Sequence, residues 1–209
     1  MPVKAFEVLL KKINMKKILL ALLFSSFLLN QLAAQEDTAL AKRVKEILIY
    51  TQEKNTEKIL DYTYPKLFTI VTRSQMKEAL DGMYDTDEFT TVLDSLFTIK
   101  IHPVFSVEGK QYCRIMHNIV MYMKFKEVID TVGKDSEANA MVELMGLKYG
   151  KENVRFDVKN NSLVIKSTPD MIAVKENNNW YFANYNEDNP AMIDLLFSKA
   201  VQKKYKEFQ

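Results

Sequence analysis

Two histidines and one cysteine are the side chains of this 209-residue chain best suited to metal binding or nucleophilic catalysis. His102, Cys113 and His117 do not stand at the spacing of a zinc-ligand set, which disfavours a metal site. The chain has no G-x-S-x-G elbow, no phosphate-binding P-loop and no G-x-G-x-x-G dinucleotide motif. A single cysteine on a strand is typical of a small buried hydrophobe rather than a reactive thiol. We therefore expect no metal and no cofactor.

His117 is the histidine best placed for chemistry. It falls in the middle of a long alternating segment, between Ile115 and Met121, so its side chain is expected to point into an apolar space. There it could be a catalytic or ligand-gripping residue, or a core histidine satisfied by a polar neighbour, and we favour the second. His102 precedes Pro103 at a strand edge and is expected to face solvent.

The carboxylate that acid–base catalysis would need is hard to find in this sequence. Asp61 lies near two tyrosines and Asp157 follows Phe156 in a short strand, and we expect both carboxylates to face water. Aromatic residues could line a pocket, although they more often are core residues with one polar end near solvent. The aromatic candidates are Tyr62, Tyr64, Tyr112, Tyr122 and Trp180. No catalytic constellation is favoured.

The N-terminal region has the order of a cleavable export signal. A basic segment at residues 15–17 precedes an apolar run at residues 18–29, and alanines at 33 and 34 follow. About 12 apolar residues are too few for a membrane span, which needs roughly 20, and a buried helix is the alternative. We interpret residues 1–34 as an upstream extension plus signal peptide, with the start at Met15. The signal predicts an exported protein, periplasmic or secreted, and the absence of a cysteine directly after the apolar run predicts that it is not a lipoprotein.

Composition indicates a single domain after the signal, residues 35–209. With 47% hydrophobic and 27% charged residues, the chain can bury a core without disulfides. Residues 1–34 hold five lysines and one glutamate, so 24 basic and 26 acidic residues remain of the 29 and 27 in the whole chain. The remaining slight negative charge counts against a nucleic-acid partner, which would need a basic face.

Hydrophobic periodicity predicts helices at both ends of this domain. Residues 66–71 should form a further turn, and a third helix should begin at Ser74, in an imperfect capping box with Glu78. The polar tail, residues 199–209, is expected to fray. The other predicted helices are residues 37–53, capped by Asp37, residues 55–62, residues 138–149 and a helix capped by Asn189.

Alternating patterns predict strands between these helices. A bulge or break is expected near Asp94 and Ser95, and a tight turn at residues 108–110. Consecutive asparagines at 160–161 and 177–179 supply turns that tolerate positive φ. The predicted strands are residues 89–107, 111–126, 153–158, 163–166, 171–175 and 180–185.

Four passages resemble the nuclear transport factor 2-like (SnoaL-like) superfamily, in the form of its small secreted members from Bacteroidota. They are residues 55–67, ending in Asp-Tyr-Thr-Tyr-Pro-Lys-Leu, residues 74–80, the hairpin at residues 104–125, and residues 171–190 with Asn-Trp-Tyr-Phe and Asn-Glu-Asp-Asn-Pro. The resemblance implies an α+β fold, with N-terminal helices packed in the concave side of a strongly curved antiparallel sheet (a cystatin-like cone). The helix at residues 138–149, set between strands, is an addition expected to cover a sheet edge or the pocket mouth.

The same resemblance implies a cavity inside the cone and a homodimer formed through the sheet. The fold hosts isomerases, cyclases, dehydratases and non-enzymatic binders, so it does not select an activity. We expect an exported, non-enzymatic module that binds a small apolar ligand or another protein. The alternative is a cone-type isomerase, dehydratase or cyclase acting on a small hydrophobic substrate. The predicted pocket lining is His117, Tyr62, Tyr64, Met121 and Trp180.

Overall fold

The computed structural model describes residues 38–208. Contacts within the chain divide it into two compact units, residues 1–42 and residues 43–209. The first is described only over residues 38–42, which are helical. The predicted signal peptide at residues 15–34 and the predicted cap at Asp37 lie outside the described residues. Within residues 38–208, no helix has the length and apolar composition that a membrane crossing requires.

The fold is α+β, with one seven-stranded antiparallel sheet. All six predicted strand regions form strands, because their alternating apolar residues can face a core while the neighbours on the strand point away. The predicted segment 89–107 divides into two strands. The strands are β1 (Phe89–Ile101), β2 (Phe105–Val107), β3 (Lys110–Phe125), β4 (Val154–Asp157), β5 (Ser162–Ser167), β6 (Asp170–Glu176) and β7 (Asn179–Asn184).

β3, with 16 residues, is the strand on which the others assemble. It pairs with β1 and β2 along one edge and with β5 and β6 along the other, and β4 and β7 lie next outward. The register of β1 on β3 shifts between Asp94 and Phe97, and Ser95 has φ 51°, which confirms the predicted bulge. Glu108 and Gly109 have φ 53° and 76°, which confirms the predicted turn into β3.

Six α-helices accompany the sheet in the part of the chain that the structure describes. The second helix, predicted to start at Asn55 or Thr56, begins at Thr56 and is capped by Asn55. The helices are α1 (residues 38–52), α2 (Thr56–Tyr62), α3 (Arg73–Tyr84), α4 (Glu137–Tyr149), α5 (Pro190–Leu196) and α6 (Lys199–Lys206). A 3-10 helix, Pro65–Thr69, occupies the predicted turn. α2 contacts β7, α3 contacts β1, α4 contacts β4 and β5, and α6 contacts β2.

The cap of α3 differs from the prediction. The capping residue is Thr72 rather than Ser74, and its partner is Gln75 rather than Glu78. The Thr72 hydroxyl accepts from the Gln75 backbone N–H, while the Gln75 side chain accepts from the Thr72 backbone N–H. This reciprocal pair has the spacing of three residues that a capping box requires, which Ser74 and Glu78 lack.

The prediction of a frayed C-terminal tail was wrong. Residues 199–206 form α6, and Ser198 caps it. Val201 and Tyr205 are fully buried on one face of this helix, where they join a core cluster that includes Tyr112, Ile172 and the residues of α5. The lysines occupy the other face, so the high charge of the segment reflects an amphipathic helix rather than an unfolded tail.

Candidate functional site

A buried ion pair joins β3, β6 and the C-terminus. The Arg114 guanidinium donates from Nε to Asp170 Oδ2 at 2.9 Å and a second time, from Nη2, to the same oxygen. Its Nη1 donates to the Phe208 carbonyl at 2.6 Å. The side chains of Arg114 and Asp170 are only 8% and 17% exposed. Arg114 therefore fixes the end of the chain to the middle of the sheet.

Several polar atoms around this ion pair have no hydrogen-bond partner among the described residues. They are Asp170 Oδ1, Tyr205 Oη, His117 Nδ1 and His102 Nε2. A buried polar group without a partner costs roughly 1–3 kcal/mol. Burial, reinforced by the nearby Asp170 carboxylate, raises the pKa of the Tyr205 hydroxyl far above its ordinary value, so this group stays neutral.

His117 is buried, as predicted, but no carboxylate within residues 38–208 bonds to it. It lies on the face of β3 opposite to Arg114, because the two are an odd number of residues apart on an unbroken strand. Its backbone N–H donates to the Pro169 carbonyl at 3.3 Å. Burial lowers the pKa of His117, and the Asp170 charge opposes this only in part. The ring is therefore a neutral imidazole. The hydrogen bonds that Asp170 accepts from side chains come from Arg114 and not from His117.

His102 is buried, so the prediction that it faces solvent was wrong. Its backbone N–H donates to the Arg114 carbonyl at 3.0 Å, which folds the link between β1 and β2 onto β3. Its ring then meets the ring of Phe208 edge-on, with centroids 5.6 Å apart. The Cys113 thiol donates to the His102 carbonyl at 3.0 Å and is itself fully buried, as the small hydrophobe that the sequence predicted.

We expect these two histidines to make the protein less stable in mild acid. Burial lowers the pKa of His102 and of His117 below the usual 6.5. Near and below pH 6.5, these histidines bind protons more readily in the unfolded chain than in the folded chain. The free energy of unfolding therefore falls as the pH falls. Urea unfolding between roughly pH 7.5 and pH 5.5 should show a smaller loss for His102→Gln/His117→Gln than for the wild type. An unchanged loss in the double variant would contradict this expectation.

The predicted pocket tyrosines lie on opposite faces of the sheet. Tyr62 stacks on Phe182 at 6.5 Å and donates to Glu46 at 2.7 Å. Burial and this hydrogen bond raise the pKa of Tyr62 to about 12. The Tyr64 backbone N–H donates to the Phe182 carbonyl, but its ring stacks on Phe197 in the cluster under the C-terminal helices. The chain thus passes around the edge of β7 between the two residues.

The remaining predicted pocket residues are far apart along the sheet. Trp180 pairs with Lys175, which pairs with Gln111 on β3. At roughly 3.3 Å per residue, Gln111 is about 20 Å from His117 along β3, and Met121 is about 13 Å beyond it. Trp180 is 1% exposed, and Met121 packs in the separate cluster under α4. The structure brings Tyr62 and Trp180 to the same part of the sheet, but it does not gather the predicted set around one cavity.

The two carboxylates considered for acid–base work have structural partners at the surface. Asp61 is exposed and accepts from Arg73 at 2.8 Å. Asp157 is partly exposed, accepts from the Asn160 side chain at 2.8 Å and closes the turn after β4. The Asn160 bonds lower the pKa of Asp157, which therefore stays ionised. Neither carboxylate has the buried setting that tunes a catalytic acid or base.

A shallow concavity of about 530 Å³ lies along the outer side of α3. Its lining consists of Ser74, Lys77, Glu78, Asp81, Gly82 and Asp85, and it includes none of the predicted pocket residues. Asp81 accepts from Lys77 at 2.6 Å and from Thr56 at 2.5 Å, so its charge is already matched. Residues 38–208 contain no cluster of three or more His, Cys, Asp or Glu side chains placed to hold a metal ion.

The outward face of α4 is a feature that the sequence analysis missed. The inner face packs on the sheet through Met141, Val142, Met145 and Tyr149. The opposite face consists of Ala140, Leu144 and Leu147, and we call it the α4 outer face. Leu144 is 67% and Leu147 is 80% exposed. A surface helix normally carries one apolar stripe, so the second stripe was the available signal.

Comparisons with protein-family models, with curated proteins and with solved structures found no match to this chain.

Proposed function

We propose that this chain is an exported, non-enzymatic protein-interaction module, and that the α4 outer face is its contact surface. The observation that carries the proposal is the exposure of Leu144 and Leu147 on a helix whose other face is already packed. Large apolar side chains grouped on one exposed face are typical of interaction sites. The basic, apolar and small-residue order of residues 15–34 supports export.

The proposal includes the cone-like form of the fold. The contacts of α2 with β7 and of α3 with β1 are consistent with N-terminal helices lying against the sheet. The resemblance of residues 55–67, 74–80, 104–125 and 171–190 to the nuclear transport factor 2-like superfamily supports the same form. Within it, Trp180 and Tyr64 serve as core residues, which favours protein contact over a small-ligand cavity.

Site-specific photo-crosslinking in the native host tests this function. A chain with a benzophenone amino acid at position 147 should form protein adducts in the envelope fraction. In these adducts the chain should have lost residues 1–34 through signal cleavage. The adducts should disappear when Leu144→Lys is added, because a charge on the same face would have to be buried in the contact. Position 203 on α6, which is exposed, is the matched control and should form none. Absence of adducts at both 144 and 147 would overturn the proposal.

A further inference from the structure

The α4 outer face has a charge distribution that fits a second copy of itself. α4 has an acidic residue, Glu137, in its first turn and a basic residue, Lys148, in its last turn. The flanking exposed residues keep this asymmetry: residues 134–137 hold one lysine and two acids, and residues 148–152 hold two lysines and one acid. An antiparallel pair of such helices places each acidic end against a basic end. It also opposes the two helix dipoles favourably.

We propose that two copies of this chain associate through α4, antiparallel, with the two Leu144 side chains near the two-fold axis. The inference rests on the proposed function and names its partner. With 3.6 residues per turn, Ala140, Leu144 and Leu147 project within roughly 60° of one another. About the axis at Leu144, Leu147 of one copy lies over Ala140 of the other. The large side chain thus meets the small one, as close helix packing requires.

Charged residues on the two sides of the α4 outer face affect the strength of this contact. Glu137 and Lys148 project on the same side of α4, so in the antiparallel pair each Glu137 approaches the Lys148 of the other copy. Glu143 projects on the opposite flank and meets its own counterpart near the axis. Like charges at that distance repel, so Glu143 weakens the dimer. Neutralising Glu143 should therefore strengthen it.

The contact is small, so the dimer is weak. α4 has 13 residues, and such a helix is roughly 20 Å long. A contact confined to it falls below the roughly 1,200 Å² of total buried area found in standard complexes. We expect a dissociation constant between about 10 μM and 1 mM. Such a dimer forms where the protein is concentrated.

Disulfide trapping tests the register, using protein purified from the envelope of its own host. Leu144→Cys should form a covalent dimer under mild oxidation at least ten times faster than Lys203→Cys on α6. Leu147→Cys alone should cross-link slowly, and a mixture of Ala140→Cys with Leu147→Cys should give the mixed dimer. The native Cys113 is fully buried and does not compete. Equal rates for Leu144→Cys and Lys203→Cys would overturn the inference.

Sedimentation equilibrium on the same preparation measures the affinity. Leu147→Lys should raise the dissociation constant at least tenfold, and Glu143→Gln should lower it at least twofold, with circular dichroism showing that each variant is folded. A wild type that stays monomeric at about 1 mM would overturn the inference. If photo-crosslinks at position 147 then join the chain to a different protein, the proposed function stands. Only the proposal that the partner is a second copy of this chain is then wrong. If there are none, both fail.

Discussion

Asp170→Ala is expected to lower the free energy of unfolding by about 3–5 kcal/mol, the usual cost of removing one partner of a buried ion pair. Arg114 donates twice to Asp170, and its side chain is 8% exposed. Without the carboxylate, the guanidinium charge stays buried and retains the Phe208 carbonyl and the face of the Tyr205 ring as partners among the described residues, neither of which carries a compensating charge. Urea unfolding at neutral pH, followed by circular dichroism, measures the loss.

Replacing both partners separates the effect of an unpaired charge from a general sensitivity of the site. Replacing both partners, in Arg114→Met/Asp170→Leu, should recover at least half of the loss caused by Asp170→Ala, because no unpaired charge remains. Glu207→Ala is the control, since it breaks an exposed pair with Lys204 and should change stability little. If Arg114→Met/Asp170→Leu is less stable than Asp170→Ala, the loss does not come from an unpaired buried charge.

The strands could be predicted from the sequence because their alternation is a local property. β3 was predicted to within one residue at each end, and the bulge near Asp94 appears in the structure where two polar residues interrupt the apolar pattern. The turns were predictable for a similar local reason, since Asn161 and Asn177 adopt the positive φ that asparagine tolerates. Pairing order was not predictable in this way, because it depends on contacts between residues distant in the sequence.

The errors at His102 and at α6 both concern residues that a distant part of the chain buries. His102 precedes a proline, a local signal for an exposed connection, yet Phe208 from the far end of the chain covers it. α6 was missed because four lysines mask the spacing of Val201 and Tyr205, four residues apart. Arg114 is the sequence signal for the buried ion pair. A charged residue inside an apolar strand requires a partner, although the sequence does not show that the partner is Asp170.

The candidate pocket shows what strand periodicity can and cannot establish. His117 and Met121 are four residues apart on the continuous strand β3, so alternation places them on one face. It does not follow that they share a cavity, because residues on one face can still be more than 10 Å apart, as these are at roughly 3.3 Å per residue. For Tyr62 and Tyr64, the local pattern gave no indication that the chain turns around the edge of β7 between them. The α4 outer face was visible in the sequence as apolar residues on every side of a short helix.

Tyr205 provides the second large effect, because its ring and its hydroxyl contribute in opposite directions. The residue is fully buried, and its ring stacks on Tyr185 with centroids 3.8 Å apart. The ring also faces the Arg114 guanidinium, whose central carbon is 5.4 Å from the ring centroid. The hydroxyl oxygen, in contrast, makes no well-formed hydrogen bond with the described residues, although the Arg114 guanidinium is near enough to oppose the rise in its pKa. The ring therefore stabilises the attachment of α6, and the hydroxyl is a buried polar group that is not compensated.

Tyr205→Ala should lower the free energy of unfolding by about 3–5 kcal/mol, as large aromatic-to-alanine substitutions in cores do. Tyr205→Phe should leave it within about 1 kcal/mol of the wild type or raise it, because it keeps the ring contacts and removes an unsatisfied oxygen. Denaturant unfolding of both variants measures this, and hydrogen exchange of the α6 amides should accelerate only in the alanine variant. If Tyr205→Phe is as damaging as Tyr205→Ala, the hydroxyl has a partner in solution. The Tyr205 hydroxyl would then stabilise the polar groups around Arg114 instead of being a buried group without compensation.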